Sequence, residues 1–267
     1  MFNFRKNRAS YFKEPEENRQ LARNFASKGN RRSLTATARK FVESARYPAI
    51  NDARSPIMQI EESVYCAELC SLLAENPQVR GETRAEWKRQ ESRCLALMGE
   101  MRRLRGCLAV FIYSARVIAV HDAINPDLQA ENPIYCAELC SLLAENPQME
   151  ETRAEWKRQE SRCWARTGDV VKLEASIAVF IAFDRSSAIQ DANYFNLQKE
   201  NPSYCIALCR QLYKNCSLIP LNRRLAAIRM RSRNDIDMQA TLLFQHNPYN
   251  PSEKIEDYIH QGNPKRM

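Results

Sequence analysis

The sequence predicts an all-α protein built as a tandem helical repeat, solenoid-like or a compact bundle. Three observations carry the prediction. The 267 residues contain only 6 Gly, against many Ala, Leu, Glu and Arg, a composition that favours helix. The segment YCAELCSLLAENPQ occurs at 65–78 and again, unchanged, at 135–148. ETRAEWKRQESRC occurs at 82–94 and again at 151–163, and a diverged copy, YCIALCRQL, begins at Tyr204. Cys66, Cys136 and Cys205 set the period at 70 and then 69 residues. Periods of this order mark units that bury a continuous core by stacking.

Three helices are expected in each copy. Helix A covers about 38–53 in the first copy, with Phe41, Ala45 and Ala49 on a 3.6-residue period; Pro48 should kink it. Helix B starts where Asn132-Pro133 and Asn201-Pro202 place Asn at the cap and Pro at the first helical position. Ser63 should cap it in the first copy. Helix B ends near Asn76-Pro77 and Asn146-Pro147, because a residue before Pro avoids the helical region. Helix C starts at Glu82 and carries Trp87, Cys94, Met98, Met101 and Leu104 as its apolar stripe. Trp156 and Cys163 repeat that pattern, and Gly168 should end the helix. In the third copy, helix C reads LNRRLAAIRMRSR from Leu221 to Arg233.

These signals divide the chain into a basic flexible arm (1–36), a three-copy helical body (37–106, 107–175 and 176–246) and a loop-like tail (247–267). The net charge of +8 is carried by the first forty residues, so the arm is basic and the body neutral. With 44% apolar and 27% charged residues the chain is globular rather than disordered. No apolar run of signal-peptide length opens it. The longest apolar stretch, Cys107 to Val120, is broken by Arg116 and falls short of the ~18 residues a membrane span needs. We therefore expect no span, and a cytoplasmic or other reducing compartment. An Arg-rich start leaves mitochondrial import open, although Glu14, Glu16 and Glu17 oppose it. A repeat body with a polar tail also suits an effector secreted by another route.

Candidate sites fall into three groups. The first is the cysteines, all in the body. Cys66 and Cys70, Cys136 and Cys140, and Cys205 and Cys209 each put two thiols on one helix face, beside Tyr65, Tyr135 and Tyr204. A repeated interhelical seam explains them. The alternative is a zinc or redox site with a third thiol from helix C, although the three His residues do not repeat and no fourth ligand recurs. The second group is the recurring Arg46 and Asp52, Arg116 and Asp122, and Arg185 and Asp191, expected to make polar pairs between copies, reaching the recurring Tyr or Gln. The third is basic: Arg5, Lys6, Arg8, Arg31 and Arg32 in the arm, with Arg223, Arg224, Arg229, Arg231 and Arg233. These would contact nucleic acid or an acidic partner through ion pairs.

No phosphate-cradling Gly loop, GxSxG, HExxH or dinucleotide fingerprint is present. The expectation is a non-enzymatic scaffold or adaptor that mediates protein–protein interaction, with no cofactor and no metal. The alternatives are a nucleic-acid-binding or packaging protein using the arm, and a Cys-based zinc or redox protein.

Overall fold

The computed structural model describes the backbone of residues 4–76 and 81–216, with side chains over 14–76 and 84–215. The described residues form fourteen α-helices and no strand. The chain divides into two compact units, Met1–Asp184 and Arg185–Met267.

The first unit opens with α1 (Phe4–Ser27) and α2 (Arg31–Ser44). The described residues of the segment expected to be a basic flexible arm are helical from Phe4, and α1 packs against α2 and α5 (Ser63–Glu75). Gly29 makes the turn between α1 and α2 at φ +67, a left-handed conformation that glycine adopts without strain. Asn30 then caps α2 by accepting from the Ser33 N–H. Two short helices lead to α5: α3 (Arg46–Arg54) and α4 (Pro56–Glu61).

The long helix A expected over 38–53 is instead broken at Ala45, at φ −144 and ψ 60. Pro48 does not cause the break. It lies in the first turn of α3, where its missing N–H has no helical partner to lose. Ser63 is the first residue of α5, preceded by Glu62, so the expected Ser63 cap is also corrected.

After α6 (Gly81–Leu97) comes a second left-handed glycine, Gly99, and then α7 (Met101–Ile124). The apolar stripe expected to run through helix C to Leu104 is thus divided between two helices. Non-helical Ala115 (φ −148, ψ 53) kinks α7, 70 residues after Ala45. Next come α8 (Pro126–Glu131), α9 (Pro133–Glu145), a 3-10 turn (Pro147–Thr152), α10 (Arg153–Thr167) and α11 (Val170–Phe183). Asn132 caps α9 as expected, accepting from the Tyr135 N–H, and Gly168 ends α10 at φ +76. The core of this unit holds Leu34, Phe41, Tyr65, Leu69, Trp87, Leu104, Phe111, Tyr135, Leu139 and Phe180, all buried.

Within the second unit the described helices are α12 (Arg185–Asn193), α13 (Phe195–Glu200) and α14 (Pro202–Cys216). Asn201 accepts from the Tyr204 N–H at the start of α14, as the Asn-Pro signal predicts. The third helix C and the tail lie outside the described residues.

Candidate functional site

The recurring acids of helix A sit at the end of the segment after each break and are buried: Asp52 in α3, Asp122 in α7 and Asp191 in α12. A buried carboxylate needs charged or polar donors, and the first unit supplies them from flanking helices. Arg19 of α1 grips Asp52 through Nε at 2.8 Å and Nη2 at 2.7 Å, and the Tyr65 hydroxyl donates to the same carboxylate at 2.9 Å. Arg89 of α6 grips Asp122 in the same fork, both bonds at 2.6 Å, while Tyr135 donates at 2.7 Å. Arg93 adds a second guanidinium to Asp122 at 3.6 Å. In the second unit Tyr204 donates to Asp191 at 2.8 Å. The planar fork suits such bidentate pairing. Hydrogen bonding to the acids raises the Arg19 and Arg89 pKa values, and burial raises those of Tyr65 and Tyr135.

The carboxylate partner of Arg19 and of Arg89 lies 33 residues ahead. Arg46, Arg116 and Arg185 stand just past the break: Arg46 and Arg185 open α3 and α12, and Arg116 follows the kink of α7 and bonds Gln148.

The cysteines finish the same construction. The Cys66 thiol donates to the Asp52 carbonyl (3.7 Å) and Cys70 to the Ala53 carbonyl (4.0 Å); Cys136 and Cys140 do the same at Asp122 (3.7 Å) and Ala123 (3.8 Å). The last carbonyls of a helix lack intrahelical partners, and a thiol is a small apolar group with one weak donor. Gln59, Gln129 and Gln198 donate to the Ala53, Ala123 and Ala192 carbonyls at 2.6, 2.7 and 2.6 Å.

In the first unit burial drives the thiols of Cys66, Cys70, Cys94, Cys136, Cys140 and Cys163 upward, Cys94 and Cys163 to about 12, with Cys94 adding to the effect on Cys66 and Cys70. These are protonated, inaccessible thiols, the opposite of the electropositive, exposed setting of a reactive cysteine. Cys205 is buried and Cys209 half-buried in α14. Among the described residues no group of three or more His, Cys, Asp or Glu is placed to hold a metal ion.

Sequence reasoning missed the arginine half of the site. Its signal is a recurrence that enters the supposed arm: Glu16, Arg19, Gln20, Arg23 and Gly29 match Glu86, Arg89, Gln90, Arg93 and Gly99, then Glu155, Arg158, Gln159, Arg162 and Gly168. Arg23 forks onto Glu62, and Arg19 also bonds Glu16, as Arg89 bonds Glu86.

Of the predicted basic residues, Arg31 and Arg32 lie exposed in the first turn of α2, with Arg31 paired to Glu100. Arg5, Lys6 and Arg8 belong to α1, their side chains outside the described residues, as are Arg223, Arg224, Arg229, Arg231 and Arg233 altogether.

The outward side of α7 is largely apolar on both sides of its kink at Ala115. On α7, Leu104, Leu108, Phe111, Ala119 and Ala123 turn inward, while Val110, Tyr113, Val117, Ile118 and Ile124 face out; Tyr113 is 92% exposed and Val117 83%. By length and mean hydropathy (1.6), α7 meets the composition of a membrane-crossing helix, with 39% of that window buried. The expectation of no span rested on a shorter stretch, interrupted at Arg116, and α7 reaches beyond it on both sides. Its inner face carries Asp122, paired to Arg89. Set beside known proteins, the chain matches no family model, no curated protein and no solved structure.

Proposed function

We propose that the chain is a non-enzymatic helical-repeat scaffold of three related copies, which docks another protein on the outer face of α7. The observation that carries this is the exposure of Tyr113 and Val117 at the centre of that face. Large apolar side chains clustered on a surface are characteristic of binding sites. The interior supports the same reading from the other side. Its acids, tyrosines and thiols are engaged with one another in holding helices together, which leaves the outer surface as the place for recognition.

The test is affinity capture with the full chain and with Tyr113→Asp. A partner identified by mass spectrometry is then purified and its binding measured. The reading requires binding by the wild type and at least tenfold weaker binding by the variant, with circular dichroism unchanged. Equal binding by both overturns it.

A second reading, nucleic-acid binding, is favoured by a different observation. Lys28 and Arg32 beside the Gly29 turn and Arg102 beside the Gly99 turn are exposed, and the Arg31–Glu100 pair ties those two turns together. Fluorescence anisotropy with a labelled duplex tests it: affinity should fall steeply with salt and drop in the double variant Arg32→Glu, Arg102→Glu.

A further inference from the structure

We propose that one face of α14 is a docking site for the chain's own residues 220–233, which stand to it as α6 stands to α5 and α10 to α9. This rests on the reading of three related copies, and not on the docking role of α7.

The first observation is a face that changes between copies. α6 packs along α5 and α10 along α9, whereas among the described residues of its unit α14 packs on α12 and α13. Tyr204, Cys205 and Leu208 of α14 are buried, as are their counterparts Tyr65, Cys66 and Leu69 in α5 and Tyr135, Cys136 and Leu139 in α9. The other side of the helix differs. In α5 it holds Ala67, Cys70, Leu73 and Ala74, and in α9 Ala137, Cys140, Leu143 and Ala144, all buried. In α14 the same places are taken by Ile206, Cys209 and Leu212, all half-buried, and by Tyr213, which is 52% exposed. Three- and four-residue spacing puts these four on one face. Two alanines have become isoleucine and tyrosine, so the less covered face is also the more apolar one.

The second observation is an occupant at the right distance. Asn215 stands where Asn76 ends α5 and Asn146 ends α9. α6 starts at Gly81, five residues after Asn76, and Pro220 lies five residues after Asn215. Proline suits the first turn of a helix. Beyond it Leu221, Leu225 and Ile228 keep the helical period. Arg223, Arg224, Arg229, Arg231 and Arg233 fall outside that stripe. The array then ends on a helix that is apolar toward α14 and cationic elsewhere, the polar outer side that a terminal copy needs.

The third observation disfavours α1 of a second chain, the other helix of this type not set against a helix B of the first two copies as α6 and α10 are. α1 carries Glu17 and Asn24, both exposed, where α6 has Trp87 and Cys94, both buried. Covering α14 with α1 would strip a carboxylate and an amide of water against an apolar stripe. Head-to-tail growth of chains is thereby opposed, and residues 220–233 are left as the occupant.

Alkylation of the full native chain by N-ethylmaleimide, with each thiol followed by peptide mass spectrometry, tests this. Cys209 should react slowly in the wild type, at a rate independent of protein concentration. In Leu225→Asp it should react roughly tenfold faster or more, because the covering helix is released. Leu225→Ala, which only shortens the side chain, should give a smaller rise with Cys205 still protected. Arg224→Asp, off the stripe, should leave Cys209 at the wild-type rate. Equal rates at Cys209 in the wild type and both Leu225 variants would overturn the proposal, as would a rise in Arg224→Asp equal to that in Leu225→Asp. Protection of Cys209 that grows with protein concentration would overturn it in favour of a second chain. The α7 reading stands or falls separately, on Tyr113→Asp.

Discussion

Asp52 and Asp122 occupy the same place between three helices, yet the helix that brings the arginine has a different sequence in each case. At Asp122 it is α6, with the repeated Trp-Lys-Arg-Gln-Glu-Ser run. At Asp52 it is α1, where Trp87 and Cys94 are replaced by Glu17 and Asn24. What α1 keeps is Arg19 in a two-bond fork on the acid, Arg23 one turn further and the left-handed Gly29. The comparison teaches that the buried ion pair and the turn are what position this helix. The apolar stripe around them is free to change. A net charge of +8 gathered in forty residues looked like an arm because it was counted rather than paired: Arg19, Arg23 and Arg31 each meet a carboxylate.

The sharpest way to break the comparison is to remove α1. A chain starting at Lys28 leaves Asp52 buried beside Tyr65 without its guanidinium. Breaking a buried pair by loss of one partner costs roughly 3–5 kcal/mol, and the packing of α1 on α2 is lost as well. Hydrogen exchange should show α3 and α5 losing protection while α9 and α10 retain theirs. Full protection in α3 and α5 would mean that α1 is dispensable and that the two regions are not equivalent.

Neutralising the acids one at a time compares the clusters directly. Asp122→Asn faces two arginines and Asp52→Asn one, with Asp122 the more buried (1% against 5% exposed). Urea unfolding should show about 3 kcal/mol lost for Asp122→Asn and a smaller loss for Asp52→Asn. The reverse order would place the stronger clamp at the N-terminus.

Alkali should act on both clusters together. The seam thiols of the first unit have folded pKa values raised by burial, to about 12 at Cys94 and Cys163, whereas in the unfolded chain a thiol titrates near 9.0. A folded pKa above the unfolded one means the stabilisation is complete below pH 9. It is lost as pH rises from 9 toward 12, by up to about 1.4 kcal/mol per thiol per pH unit. The melting temperature should therefore hold from pH 7 to 8.5 and fall steeply above 9. A flat profile to pH 10.5 would show that the thiols reach solvent.

Helix type and the start of helix B were legible in the sequence because they are encoded locally. Asn132-Pro133 and Asn201-Pro202 specify a cap and a first turn within a few residues, and both Asn side chains accept the expected N–H. The thiols were legible as a seam because four-residue spacing fixes a face. The breaks at Ala45 and Ala115 were not, since neither has Pro or Gly at the break and alanine is the best helix former; a break without a local signal is set by packing. Arg19 and Arg89 were hidden for a related reason. Each meets its acid across 33 residues, so nothing in its own helix marks it as half of a pair.

The smallest expected effect gives the finest comparison. Tyr65→Phe and Tyr135→Phe each delete one hydroxyl and leave the ring in place. Both hydroxyls donate to an acid already gripped by a guanidinium, at 2.9 Å and 2.7 Å. The acid keeps its arginine in either variant, so no charge is stranded. Each should lose about 1.5 kcal/mol, the low end for a hydrogen bond to a charged acceptor. Combined with the asparagine variant of its own acid, each should lose less than the sum, because the two share a partner. Paired across clusters, Tyr65→Phe with Asp122→Asn, the losses should add. Coupling across the clusters, instead of within them, would mean that the two acids are held by one continuous network and not by two copies of the same clamp.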